Sequence, residues 1–178
     1  HHIALVTTDM RRNSNGGKFV GMPAVLSATT SGLTAALQSR VVIGQAGSDL
    51  PRGFESMQDS LQPTYLAGAG AGFFRDDALL AVIVISNGDD YSLGKDTDYE
   101  SFLDGLKKPF SNGAKSGILN YVGVLSPTGN CKTSGSFAEA GLKYMSVANY
   151  SSGVQASVCD STLTTAVSNI RSRIVEIL

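Results

Sequence analysis

The chain of 178 residues carries 14 basic and 15 acidic side chains, which gives a formal net charge of −1. Charged residues make up 16% of the chain, against about a quarter in an average soluble domain. This balance argues against nucleic-acid binding, which requires an excess of Lys and Arg on one surface. The longest apolar run, Leu79–Ile85, is far shorter than the roughly 20 residues that cross a bilayer. The composition therefore excludes a nucleic-acid binder, a membrane span and a disordered chain, and it fits one folded domain, residues 1–178.

The first part of the chain predicts two short strands and two helices. A short apolar run followed by a polar loop rich in Gly and Asn is typical of a buried strand. Apolar residues at helical spacing predict the helices, and the second has Pro51 in its first turn and Ser48 or Asp49 as its expected N-cap. The predicted strands are Ile3–Thr7 and Ala24–Ala28, and the predicted helices are Ser31–Val42 and Leu50–Leu61.

The second part of the chain contains the strongest strand prediction, Leu79–Ile85, which is continuously apolar and rich in β-branched residues. Such a strand is expected to be buried on both faces, as in a parallel sheet beneath helices. Thr97 and Glu100 have the spacing of a capping box that opens the next helix, which ends before Pro109. The remaining predicted strands are Ile118–Leu125 and Val154–Val158, and the remaining helices are Phe137–Val147 and Ser161–Leu178.

The alternation of strands and helices predicts an α/β fold with a mostly parallel sheet. The last helix is expected to pack through one apolar stripe, formed by Leu163, Val167, Ile170, Ile174 and Leu178.

Polar side chains follow the Leu79–Ile85 strand, where an open parallel sheet binds its ligands. Asn87, Asp89 and Asp90 occupy this turn, and Ser48 and Asp49 lie at a loop-to-helix junction that is a candidate for the same edge of the sheet. Hydroxyl, amide and carboxylate oxygens are suitable ligands for Mg²⁺. The alternative is that Asp89 and Asp90 only cap the following turn or remain solvated.

Two short patterns that resemble enzyme motifs carry little weight. The glycine run Gly68–Gly72 precedes a strand, whereas a dinucleotide-binding loop joins a strand to the helix after it. Gly47-Ser48-Asp49 resembles the motif around a nucleophilic serine, but His1 and His2 are the chain's two histidines, so no internal histidine can act as its base.

Three segments together resemble a von Willebrand factor A (vWA) domain, most closely the versions in bacterial cell-envelope proteins. They are Ile3–Asp9, Gly47-Ser48 and, most specifically, Phe74–Ser92. The resemblance covers nearly the whole chain and implies a Rossmann-like, mostly parallel sheet flanked by helices on both faces. The family binds a divalent metal, usually Mg²⁺, through an Asp-x-Ser-x-Ser loop after its first strand, a hydroxyl residue and an Asp after its fourth strand. The metal then coordinates an acidic residue of a partner protein.

The resemblance assigns three candidate metal ligands in this sequence and a departure from the family pattern. Ser48 matches the hydroxyl position, Asn87 stands where the family usually has Asp, and Asp89 follows in the same turn. The Asp-x-Ser-x-Ser loop does not occur in these residues, so the resemblance implies a degenerate or incomplete metal site in an N-terminally incomplete domain. It also implies a missing central strand between Ile3–Thr7 and Leu79–Ile85, which an upstream segment or a separate chain would supply. Otherwise those two strands would have to pair directly.

The resemblance also bears on the cysteines and the compartment. Envelope relatives link the regions of Cys131 and Cys159, so a disulfide is expected, although free buried thiols remain the alternative. An even cysteine count in a Gly/Ser-rich chain suits an oxidising, extracytoplasmic compartment such as the periplasm, the cell surface or the medium.

The sequence therefore predicts a non-enzymatic protein-recognition or adhesion module of the bacterial cell envelope, whose protein ligand binds at the carboxyl-end edge of the sheet. One alternative is a metal-assisted α/β hydrolase that uses the carboxylates of Asp89 and Asp90. This alternative is weaker because no internal histidine, activated nucleophile or general base can be named. Another is a purely structural domain whose metal site has decayed, which the amide of Asn87 favours.

Overall fold

The computed structural model describes residues 1–11, 15–44, 46–128, 131 and 139–178. The strands are β1 (His2–Ile3), β2 (Leu26–Ser27), β3 (Leu80–Ser86), β4 (Gly117–Gly123) and β5 (Gln155–Ser157). The helices are α1 (Leu33–Val41), α2 (Gly53–Ser60), α3 (Pro63–Leu66), α4 (Asp96–Leu106), α5 (Leu142–Tyr150) and α6 (Thr164–Ile177).

The described residues form two compact units. The first comprises His1–Asp76 with Tyr91–Leu93, and the second comprises Asp77–Asp90 with Gly94–Leu178. The first unit contains the antiparallel pair β1–β2 and helices α1 to α3, and the second contains a three-stranded sheet in the order β3-β4-β5 with helices α4 to α6.

The sheet of the second unit is parallel throughout, which confirms the α/β fold at this coarse level. All seven residues of β3 pair with β4, from Leu80 opposite Gly117 to Ser86 opposite Gly123, and β5 pairs with the last part of β4. β4 is central and every one of its residues is buried. This burial agrees with its apolar sequence, because the middle strand of a parallel sheet is covered on both faces.

Helices cover both faces of this sheet. Tyr121 of β4 stacks on Tyr144 of α5, with ring centroids 5.2 Å apart. Val122, the next residue along β4, packs with Ala166 and Ile170 of α6. Because successive strand residues point to opposite faces, α5 and α6 lie on opposite sides of the sheet. α4 packs against both α5 and β4.

The two cysteines form a disulfide, as expected. Cys131 and Cys159 are bonded across 28 residues of sequence, with their Cα atoms 5.1 Å apart. Cys131 is only 3% exposed. The bond ties the connection between β4 and α5 to the segment that follows β5.

Helix starts differ most from the sequence predictions. The N-cap of α2 is Arg52 rather than Ser48 or Asp49, because the Glu55 N–H finds its acceptor in the distant Ser92 hydroxyl, 3.0 Å away. Sequence spacing cannot reveal a cap supplied from another segment.

Other helix boundaries also differ between the sequence prediction and the structure. α4 begins at Asp96, so Thr97 lies inside the helix, and the carboxylate of Asp98 accepts the Lys95 N–H at 2.8 Å. The predicted Thr97–Glu100 capping box was therefore wrong. The predicted helix Phe137–Val147 begins outside the described residues, and α5 spans Leu142–Tyr150. α3 was not predicted.

Two burial predictions were wrong. β3 is not buried on both faces, since Ile83 is 49% exposed and Ile85 is 57% exposed. In α6 the fully buried residues are Ala166, Ile170 and Ile177, whereas Val167 and Leu178 from the predicted stripe are exposed. The predicted strand Ile3–Thr7 is also shortened, because only His2–Ile3 pairs with another strand.

Candidate functional site

The turn after β3 carries two of the three candidate ligands, Asn87 and Asp89. The Ser86 hydroxyl donates to the Gly88 carbonyl at 3.0 Å and accepts from the Gly88 N–H at 3.3 Å. This local hydroxyl turn closes the strand and leaves Asn87 exposed at its tip.

Asp89 binds the first turn of α5. Its Oδ1 accepts the backbone N–H of Lys143 at 2.9 Å and that of Asp90 at 2.9 Å. A carboxylate at this place satisfies one of the unpaired N–H groups of the helix start and interacts favourably with the helix dipole. Asp89 thus acts as a cap for α5 that is contributed from the turn after β3.

Asp90 and its neighbours hold the segment after β3 against α5. Asp90 is 5% exposed and accepts the Tyr144 hydroxyl at 2.9 Å. The hydrogen bond from Ser146 lowers the pKa of Asp96, which accepts that hydroxyl at 2.6 Å. The Lys143 ammonium donates to the Gly94 carbonyl at 2.9 Å. The carboxylates of Asp89 and Asp90, which the sequence suggests as candidate catalytic groups, are therefore engaged in structural contacts with α5.

The sequence analysis did not single out Tyr121, whose hydroxyl lies in the same region. A Cβ on Gly123 would come within 2.2 Å of this side chain, and one on Gly141 within 2.1 Å. Burial raises the pKa of Tyr121 to about 12, and the nearby N–H groups of Val124 and Gly141 only partly offset this effect. Among the described residues the hydroxyl has no hydrogen-bond partner of good geometry. In the sequence, the feature that could have pointed to this buried ring is the pair of glycines at positions 123 and 141, because a Cβ at either position would clash with the ring.

The third candidate ligand, Ser48, belongs to the first unit and sits in a local turn. Its hydroxyl accepts the Leu50 N–H at 3.1 Å. Asp9 lies nearby, and the hydrogen bonds from Arg11 are the main cause that lowers the pKa of its carboxyl. The Arg11 guanidinium also donates to the Ala46 carbonyl at 2.6 Å. This carboxylate therefore already has a cationic partner.

The donor groups near the turn could provide only part of a metal site. One carboxylate oxygen of Asp89 is engaged in capping α5. Within the described parts of the chain, no group of three or more His, Cys, Asp or Glu residues could hold a metal ion. No helix in those parts is both long and apolar enough to cross a membrane.

Comparisons with known proteins gave no match: no protein-family model, no curated protein and no solved structure is significantly similar to this chain.

Proposed function

We propose that the chain is a non-enzymatic protein-recognition or adhesion module of the bacterial cell envelope with a vWA-like, Rossmann-like fold. The observation that carries this proposal is the open edge of β3, which ends the three-stranded sheet of the second unit. An apolar strand with a free edge can add a strand from another segment, which is a common mode of protein recognition.

The hydrogen bonds of β3 identify which of its backbone groups are open. The Leu80 N–H donates to the Ser116 carbonyl at 2.8 Å, and the Val82 carbonyl accepts the Asn120 side chain at 3.3 Å. These residues therefore point toward β4. Because backbone groups alternate in direction along a strand, the N–H and C=O groups of Ala81, Ile83 and Ile85 point to the other edge.

The sequence of β3 contains none of the residue types that normally protect an edge strand. Residues Leu80–Ser86 contain no charged residue, no proline and no glycine, whereas natural edges carry charges, prolines, bulges or covering elements. The sequence of β3 is typical of an interior strand. We infer that a parallel strand from outside residues 1–178, either an upstream segment of the same protein or a separate chain, pairs with this edge.

The turn after β3 supports a degenerate metal site in this module. The Asn87 amide would supply an oxygen without charge, and one oxygen of Asp89 is engaged in capping α5. Binding of Mg²⁺ is therefore expected to be millimolar or weaker, with Asn87 and Asp89 as the candidate ligands in this turn. The disulfide supports an extracytoplasmic location, because such bonds persist in oxidising compartments.

The two alternatives make different demands on the same carboxylates. A metal-assisted hydrolase needs Asp89 and Asp90 to be available for chemistry, yet both accept hydrogen bonds that hold α5 in place. A purely structural domain with a decayed metal site is favoured by Asn87 and by that capping role, and it differs from the proposed module in lacking a partner at the β3 edge.

Hydrogen exchange measured by NMR on the chain of residues 1–178 tests the proposal at single amides. We expect the amides of Ala81, Ile83 and Ile85 to exchange rapidly, while those of Val82 and Val84 are protected and serve as controls within the same strand. In the full-length protein, or with the partner bound, the three open amides should become protected to the same degree. Protection of Ile83 and Ile85 equal to that of Val82 and Val84 in the isolated chain would overturn the open edge. Rapid exchange in the full-length protein and in its complexes would favour the structural alternative.

A further inference from the structure

The tripeptide Ser-Asn-Gly occurs three times in the sequence, at positions 14–16, 86–88 and 111–113. Asparagine is a chemically labile residue, and a glycine after it favours deamidation, because no Cβ hinders the approach of the glycine nitrogen to the asparagine side chain. The first copy begins outside the described residues. The other two lie in turns of the second unit, one after β3 and one before β4, and the asparagine is exposed in both. They form a pair with the same local sequence and different surroundings.

The turn after β3 holds its reactive amide weakly. The Gly88 N–H donates to the Ser86 hydroxyl at 3.3 Å, which is longer than an ordinary hydrogen bond from an amide. The backbone at Gly88 is also uncrowded, since the nearest atom to a Cβ built there is a carboxylate oxygen of Glu139 at 3.8 Å. The nitrogen that would attack the Asn87 side chain is therefore bound by one long hydrogen bond.

The turn before β4 holds the same groups firmly. The Gly113 N–H donates to the Phe110 carbonyl at 2.8 Å. The side-chain carbonyl of Asn112 accepts the Ala114 N–H at 2.9 Å, and the Phe110 N–H donates to the Ala114 carbonyl at 2.9 Å. Both the attacking nitrogen and the side chain that it would attack are therefore engaged in hydrogen bonds of ordinary length.

We propose that Asn87 is a site of spontaneous deamidation in the folded chain and that Asn112 is protected from the same reaction. The backbone nitrogen of Gly88 loses its proton and forms a bond to Cγ of Asn87. The bond from Cγ to the amide nitrogen breaks, and ammonia leaves with that proton. Water then adds to either carbonyl of the resulting succinimide ring and opens it to aspartate or isoaspartate. In sum, asparagine and water give a carboxylic acid and ammonia, with no change of oxidation state.

Hydrogen bonding decides which of the two asparagines reacts. The ring nitrogen of a succinimide carries no hydrogen, so every hydrogen bond that this N–H donated is lost. At Gly113 the loss is the 2.8 Å bond to the Phe110 carbonyl, and ring closure also reorients the Asn112 carbonyl that Ala114 binds. At Gly88 the loss is the 3.3 Å contact with Ser86. We expect Asn87 to react about ten-fold faster than Asn112 in the folded chain, because the ring at Asn112 gives up hydrogen bonds of ordinary strength.

Deamidation changes both the charge and the backbone of the turn after β3. It adds one negative charge to a chain whose formal net charge is −1. The isoaspartate product also adds a methylene group to the main chain two residues before Asp89, whose carboxylate caps α5 by accepting the Lys143 N–H at 2.9 Å. This modification goes beyond the proposed function, since it is a covalent change of the turn and does not depend on a partner at the open edge of β3.

Peptide mapping by mass spectrometry follows both sites in one sample. The chain of residues 1–178 is incubated in mildly alkaline buffer, either folded or unfolded in urea, and then digested with trypsin. Asn87 and Asn112 fall in separate peptides, residues 76–95 and 108–115, each of which contains one asparagine and no glutamine. We expect the deamidated form to appear about ten-fold faster at Asn87 in the folded chain, and at similar rates at both sites in urea. An isoaspartate-specific methyltransferase should label the peptide of residues 76–95.

Gly88→Ala is the control for attack by the backbone nitrogen. The added Cβ fits, because its nearest neighbour is 3.8 Å away, and it hinders the approach of the nitrogen. Deamidation at Asn87 should therefore slow several-fold, while the rate at Asn112 stays unchanged.

Three results would overturn the inference. The first is a ratio of the rates at Asn87 and Asn112 that is no larger in the folded chain than in urea. The second is aspartate as the sole product, which direct hydrolysis of the side chain would give. The third is an unchanged rate at Asn87 in Gly88→Ala. None of these measurements involves the open edge of β3, so this modification and the proposed function can fail separately.

Discussion

The Cys131–Cys159 disulfide is the contact whose contribution to stability follows most directly from the structure. It closes a loop across 28 residues that contains the β4–α5 connection, α5 and β5. Restricting the unfolded chain in this way stabilises the native state by about 3.5 kcal/mol at 25 °C, according to the chain-entropy relation for loop closure. The free energy is a substantial share of the ~5–15 kcal/mol that holds an ordinary domain together.

Removing both cysteines tests this value without leaving a single reactive thiol. Urea unfolding at 25 °C, followed by circular dichroism, compares the oxidised chain with the double variants Cys131→Ala/Cys159→Ala and Cys131→Ser/Cys159→Ser. With a slope of about 1–3 kcal/mol per molar urea, the midpoint should fall by about 1.2–3.5 M. The reduced wild-type chain is the matched control, because it keeps the side-chain volume at the buried Cys131 position.

The chain-entropy argument also predicts how the two double variants and the reduced wild-type chain compare with one another. Both double variants and the reduced chain should lose similar free energy, since the loop is opened equally in each. A loss below about 1 kcal/mol in the reduced chain would refute the reasoning. It would show that the unfolded chain keeps this region compact, or that the native bond is strained.

Three further results are expected. Titration calorimetry should give millimolar or weaker Mg²⁺ affinity for the wild-type chain and tighter binding for Asn87→Asp, since the change adds a full negative charge; equal affinities would favour the decayed-site alternative. Tyr144→Phe should destabilise the chain by about 2 kcal/mol in urea, because it removes a donor to the buried Asp90 carboxylate; no loss would show that other contacts satisfy Asp90. A double-mutant cycle of Asp104→Asn and Lys115→Met should give about 0.5 kcal/mol after solvent screening. Burial raises the pKa of Asp104, but hydrogen bonds, first that from Lys115, outweigh it and keep the pKa lowered. The coupling should therefore be present above pH ~4 and disappear as the pH falls below it; coupling that persists in acid would contradict this.

Sequence periodicity predicted the strands and helices of the second unit well because their order depends on local composition. β3, β4 and β5 lie within one or two residues of the runs that predicted them, and α6 lies inside its predicted span. Parallel pairing followed from the alternation of strands with helices. The disulfide was also expected, although from the resemblance to envelope proteins rather than from the spacing of Cys131 and Cys159.

Contacts between distant segments explain what the sequence could not predict. The hydroxyl that accepts the Glu55 N–H near the start of α2 belongs to Ser92, and the carboxylate that caps α5 belongs to Asp89, 54 residues before its partner. The side chains that look most like ligands in sequence are short, polar and near helix starts, and these are the properties of a capping residue. A turn rich in Asn, Gly and Asp therefore leaves capping and metal binding indistinguishable until the position of α5 is known.

The difference between the predicted and the observed burial of β3 has another cause. Its composition is that of a strand with neighbours on both edges and cover on both faces, and β4 provides the neighbour on one edge. At the starts of α2 and α5, side chains from distant segments accept the backbone N–H groups. By contrast, the outward-pointing backbone groups of Ala81, Ile83 and Ile85 have no partner among the described residues. A solvent-facing edge gains nothing from uncharged β-branched residues and risks aggregation. The composition of β3 is therefore best explained by an environment that the described residues do not supply, which is why the proposed function concerns this strand.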